Sequence, residues 1–154
     1  MKLDDQRVLI VDDEPDHRLI IRILLNKLWS PRLSFVEVCN GKEAVFLAQH
    51  WQPDLILMNL KMIEMDGCEA IRQIRVLEAR RMSELGELAL SHPSWIVATS
   101  TNIRKAERDR ARVAGCNAFL GKPFCIDELL ASLPGNISLA TPLDPNQSYL
   151  IHVS

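Results

Sequence analysis

Val8-Leu9-Ile10-Val11-Asp12-Asp13-Glu14-Pro15 is the stretch that decides the fold. Four consecutive apolar residues, mostly β-branched, suit a strand covered on both faces, as in a parallel sheet. The run stops at two carboxylates. Pro15 then supplies the φ of a first helical position, where its missing N–H costs nothing. Eight residues therefore read as strand, acidic turn and helix start.

The same grammar recurs along the chain. Leu33–Val38 and residues 54–58, 95–98 and 118–120 are further apolar strand candidates. Between them the apolar residues take a helical period. Ile20, Leu24 and Leu28 (with Ile21 and Leu25) mark the first helix, and Ala44, Leu47, Ala48 and Trp51 the second. Ala70, Ile71, Ile74 and Leu77 mark a third, which runs on to about Leu85 in the long connection 80–93. Asn102 is an N-cap candidate for a fourth helix carrying Ile103, Ala106 and Val113 and stopped by Gly115. Ile126, Leu129, Leu130 and Leu133 give the fifth its face before Pro134-Gly135. Five strands alternating with five helices predict an α/β fold with a doubly wound parallel sheet, because parallel neighbours need helical crossovers. Residues 6–133 form that domain. Residues 134–154, with three prolines, read as a tail or linker in which 149–153 could add an edge strand.

Composition sets the limits. The 154 residues are 47% apolar and 25% charged, which excludes wholesale disorder. A net charge of −2 gives no bulk reason to expect nucleic acid or an anionic membrane. No apolar run approaches the length of a membrane span, and no basic start leads into an apolar signal segment, so the expected location is cytoplasmic. Cys39, Cys68, Cys116 and Cys125 form no CxxC pair and read as reduced, structural thiols. Trp29, Trp51 and Trp95 read as fillers at element ends, and His17, in the first helix near the acidic pair, as a surface residue or as one that tunes that pair electrostatically.

Functional groups of open α/β sheets gather at the carboxyl ends of the strands. Asp12, Asp13, Asn59, Ser100 and Lys122 all fall there. Two adjacent carboxylates make a hard-oxygen site of the kind Mg²⁺ takes. A lysine and a hydroxyl across the rim suit a phosphoryl or carboxylate group. Taken alone, the acidic pair equally reads as a charge cluster favoured by the helix dipole.

The order of the motifs carries more. The opening octapeptide is followed by Pro53-Asp54-Leu55-Ile56-Leu57-Met58-Asn59-Leu60, Met65-Asp66-Gly67 and Ala98-Thr99-Ser100. Ala114-Gly115-Cys116 and Phe119-Leu120-Gly121-Lys122-Pro123-Phe124 complete the set. In this the chain resembles the receiver domain of bacterial two-component response regulators, the CheY-like fold. The resemblance implies a flavodoxin-like sheet of strand order 2-1-3-4-5. It implies that Asp12 and Asp13 hold Mg²⁺ with the backbone carbonyl of Lys61. Lys122 pairs with the phosphoryl group and is joined to Pro123 by a cis bond. Ser100 is the switch hydroxyl and Phe119 the switch aromatic. Partners implied are a sensor or hybrid histidine kinase, another signalling protein or a second copy, met through the fourth helix, fifth strand and fifth helix. Neither nucleic acid nor membrane is implied.

Asn59 departs from that pattern, since receivers carry the nucleophilic aspartate there. An amide has no carboxylate to phosphorylate. The site keeps two carboxylates, with the Asn59 amide oxygen left as a ligand, so Mg²⁺ binding should be weak or lost. Ile63 is a second departure, replacing a proline usual in the following loop. Three explanations stand at this point. The chain is a stand-alone, non-enzymatic pseudo-receiver acting by protein–protein interaction; or an ordinary phosphoaccepting regulator with an Asp-to-Asn block at 59; or Asp54, Asp66 or Ser100 takes the phosphate. A flavin-binding reading lacks the hydroxyl- and glycine-rich phosphate cradle. Arg104, Lys105, Arg108, Arg110 and Arg112 read as a solvated helix face or a docking surface for an acidic partner.

Overall fold

A computed structural model describes residues 6–28, 33–86 and 92–135; Trp29 and nearly all of the tail lie outside them. Five strands form one parallel sheet: β1 (Gln6–Val11), β2 (Leu33–Val38), β3 (Leu55–Asn59), β4 (Trp95–Ser100) and β5 (Ala118–Gly121). Their spatial order is β2-β1-β3-β4-β5, with the direction of travel reversing beside β1. The connecting helices are α1 (Pro15–Leu28), α2 (Gly41–His50), α3 (Gly67–Leu85) and α4 (Lys105–Ala114), with α5 (Ile126–Ser132) last.

Strand periodicity divides the core into two layers. Val8, Ile10, Leu55, Leu57 and Val97 face the side covered by Ile21, Leu24, Leu25 and Leu28 of α1 and by Ile126 and Leu129 of α5. Leu9, Val11, Ile56, Met58, Ile96 and Ala98 face the other, against Ala44 and Ala48 of α2, Ile71 and Ile74 of α3, and Ala111 and Ala114 of α4. Every residue of β3 is buried, as its unbroken apolar run requires. The register pairs Val11 with Met58, Asn59 with Thr99 and Ser100 with Gly121, so the strand ends line up along one rim. The opposite rim is tied by Arg75, which donates to the buried Glu78 and to the carbonyls of Ser94 and Gly115.

The fourth helix corrects the sequence reading. It begins at Lys105, while the Asn102 side chain accepts from the Arg104 N–H in a turn ahead of it. Ile103 and Val113 are 57% and 84% exposed, and Ala111 and Ala114 form the buried face instead. Methyl side chains let this helix lie close to its neighbours. Of the larger apolar residues, Ile103 precedes the helix and Val113 faces water from it. Gly115 does end the helix, in the left-handed conformation that favours glycine. The four cysteines are unpaired. Among the described residues, no helix is long and apolar enough to cross a membrane.

Gly67, at the start of α3, lies directly against the end of β3. Its N–H donates to the Leu60 carbonyl at 2.9 Å. A Cβ there would come within 2.7 Å of Leu60 Cα and closer still to the Asn59 carbonyl oxygen. Gly67→Ala is expected to cost about 1–3 kcal/mol through this backbone overlap, read as a lower urea midpoint.

Candidate functional site

The rim of the sheet carries a cleft of about 480 Å³ lined by Asp13, Glu14, His17, Asn59, Lys61, Met62, Ile63, Thr101 and Lys122. Three elements build it. Asp12 and Asp13 directly follow β1, β3 ends in Asn59, and Lys122 follows β5 with a cis bond to Pro123. Residues 110 positions apart in the chain thus share one hydrogen bond.

Asp12 lies at the bottom, its side chain 1% exposed. Its Oδ2 accepts from Lys122 Nζ at 2.5 Å and its Oδ1 from the Glu14 N–H at 2.9 Å. A buried carboxylate is tolerated only when paired and hydrogen-bonded in this way. Lys122, equally buried, has a second neighbour in His17 Nδ1 at 3.1 Å, and that ring nitrogen lies 3.3 Å from Asp12 Oδ2. An ammonium only donates, so the Lys122 contact is served by the tautomer that leaves Nδ1 as acceptor.

His17 is therefore not the surface residue the sequence suggested. It stands in the first turn of α1, where a helix entered straight from β1 points its side chain back over the strand end. That position, four residues past Asp13, was the available signal.

Asn59 faces the same point from the middle of the sheet. Its Nδ2 lies 3.0 Å from Asp13 Oδ1, 3.1 Å from the Lys61 carbonyl and 3.5 Å from Asp12 Oδ1. The orientation of the amide follows from these partners, since three acceptors call for the donating end. Asp12, Asp13, the Lys61 carbonyl and the Asn59 amide oxygen are the hard donors that Mg²⁺ takes. As the side chains stand, the amide N–H groups fill the point on which the other three converge. The arrangement does not fit a divalent ion until that amide turns over.

The remaining candidates lie around this centre. Ser100 is buried, and its hydroxyl oxygen accepts from the Asn102 N–H at 3.1 Å. Phe119 packs half-buried against the α4 side of the core, with the Arg108 guanidinium 5.5 Å from its ring centroid. Ile63 is 94% exposed on the lip of the cleft. Asp54 is far away. Five residues before Asn59 and just ahead of β3, it sits about 16 Å away along the strand direction and accepts from the Arg7 N–H at the opposite rim.

Asp66 closes the loop that follows Asn59. It caps α3 by accepting from the Cys68 N–H at 2.7 Å, and its other oxygen pairs with Arg110 of α4. Sequence reasoning missed this link because its partners are 44 residues apart. Burial pushes the Asp66 carboxyl up, but the Arg110 hydrogen bond, the Cys68 N–H and the Arg110 charge together hold it below the usual value. Burial raises the Cys68 and Cys116 thiols, which keeps both protonated and unreactive.

A family model described as the response regulator receiver domain matches residues 8–134. The transcriptional regulatory protein PdtaR of Mycobacterium tuberculosis is 32% identical over 128 residues, 83% of this chain and 55% of that protein. The chain spans as little as 12% of other curated relatives it matches. The receiver domain of sensor histidine kinase PA1611 from Pseudomonas aeruginosa, solved with magnesium in its active-site cleft, is 30% identical. It superposes with a TM-score of 0.66 over 82% of this chain and 93% of that one. The Saccharomyces cerevisiae co-crystal of the phosphotransfer protein Ypd1 with the Ssk1 receiver domain matches at 29% identity. Its TM-score is 0.69, covering 84% and 87% of the two chains.

The depressed Asp66 carboxyl makes a pH-dependent contribution to stability. It is present above about pH 4, the unfolded aspartate value, and lost as pH falls through the lower folded value. Asp66→Asn keeps a capping oxygen and loses the ion pair. It is expected to lower stability by about 0.2–1 kcal/mol at neutral pH, a difference that closes in urea titrations repeated towards pH 3.

Proposed function

The chain belongs to the response regulator receiver domain family, and from that premise we propose that it is a two-component signalling module that carries no phosphoryl group at residue 59. It works by binding a partner protein and is not an enzyme. One observation carries this reading: the position at the end of β3 that faces Asp12, Asp13 and Lys122 is an amide, already hydrogen-bonded to its surroundings. Phosphoryl transfer to a receiver needs an anionic carboxylate oxygen as nucleophile. The Asn59 oxygen has no full charge, and the Lys122 ammonium is engaged with Asp12.

The alternative acceptors are poorly placed. Asp54 is at the wrong end of the strand, Asp66 is committed to a helix cap and Arg110, and Ser100 has no general base among its hydrogen-bond partners. Mg²⁺ binding is weakened in the same reading. One lost carboxylate charge about 4 Å from a cation forfeits roughly 4 kcal/mol gross at an effective dielectric near 20.

With the chemical input gone, what remains is surface. The α4–β5–α5 face carries the exposed Ile103 against Gly121 of β5 and the exposed Arg108 over Phe119. An apolar anchor beside an arginine suits a protein partner with an acidic rim. A histidine kinase or a phosphotransfer protein is the class of partner that fits, and the setting is the cytoplasm. Residues 6–133 are the receiver domain that presents this face, with Ser100 and Phe119 as remnants of its switch.

Incubation with acetyl phosphate and Mg²⁺ followed by intact-mass measurement tests this. The native chain is expected to gain nothing, and Asn59→Asp to gain about 80 Da, one phosphoryl group. A stoichiometric adduct on the native chain refutes the proposal.

A further inference from the structure

Two carboxylates and a carbonyl that converge on one point need positive charge there. In this pocket Asp12 already has a cation, because Lys122 Nζ lies 2.5 Å from its Oδ2. Asp13 Oδ1 and the Lys61 carbonyl do not share that lysine. Their described partner at the centre is Asn59 Nδ2, at 3.0 and 3.1 Å, with Asp12 Oδ1 at 3.5 Å as a weaker third. A primary amide nitrogen offers two hydrogens and accepts nothing. It can therefore satisfy the oxygens that otherwise call for a divalent ion.

We infer that the Asn59 amide nitrogen is the pocket's built-in substitute for a metal ion, holding the Asp13 carboxylate and the Lys61 turn in place without one. Three features support it. The oxygens converge on the nitrogen, and turning the amide would set its oxygen against all three. Asn59 is anchored on a fully buried strand and is itself 7% exposed, so the amide cannot swing clear of the pocket. The Lys61 carbonyl opens the loop whose far end, Asp66, is fastened to Arg110. The amide therefore pins the near end of a segment whose other end rests on α4, and an ion entering the pocket must break these bonds first.

The inference rests on the reading that residue 59 takes no phosphate, and it is judged by different measurements. Thermal unfolding of the full chain is compared in EDTA and in millimolar MgCl₂, beside Asn59→Asp. The native chain is expected to melt at the same temperature in both, within about 1 °C. Asn59→Asp, with three carboxylates converging, is expected to melt several degrees lower in EDTA and to recover with Mg²⁺. Equal Mg²⁺ stabilisation of both proteins, or an Asn59→Asp variant as stable as native in EDTA, overturns the inference. Amide NMR decides independently of the variant's stability. The Asn59 side-chain NH₂ signals should hold still through a Mg²⁺ titration, and a saturating shift in them overturns it. An added phosphoryl mass overturns the functional reading, whereas a metal response overturns this inference and leaves the absence of phosphotransfer standing.

Discussion

A carboxylate at the end of the central strands, almost wholly out of water, constrains everything around it. Asp12 is placed there by β1, whose neighbours on both sides bury it, and Lys122 reaches it from the far side of the sheet as its paired cation. Removing either partner leaves an uncompensated buried charge. The pair therefore ties β1 to the segment after β5, across the two strands that lie between. The contact that His17 makes in the cleft centres on this pair.

Around that pair the pocket is internally satisfied. Asp12 is matched by Lys122, Lys122 also by His17, Asp13 and the Lys61 carbonyl by the amide, and the backbone of Glu14 by Asp12. A polar cluster in this condition is rigid, since each member holds its neighbours in orientation. The loop between Lys61 and Asp66 inherits this rigidity at one end from Asn59 and at the other from Arg110. A rim built in this way presents one shape to its surroundings, which is what recognition by a partner uses.

Much of this was legible in the chain. Unbroken apolar runs announced buried strands, and their spacing announced crossover helices. The rule that function collects at strand ends brought Asp12, Asp13, Asn59 and Lys122 onto one rim. What the pattern misjudged has a common cause. Ile103 and Val113 read as one helical stripe, yet Ile103 precedes α4 and both are exposed, because Ala111 and Ala114 occupy the face that meets the core. His17 looked like any polar residue of a first turn, and its role depends on how α1 leaves β1. The Asp66–Arg110 pair joins two separate motifs, and no local pattern records it.

The sequence by itself determined the alternation of elements, the identity of the groups at the strand ends and the presence of an amide at residue 59. Those are matters of covalent chemistry and short-range periodicity. Only the tertiary structure decided which way that amide turns, which cation neutralises Asp12 and which face of α4 meets water. Each of these depends on atoms brought within about 3 Å from distant parts of the chain, and such distances exist only once the sheet has assembled.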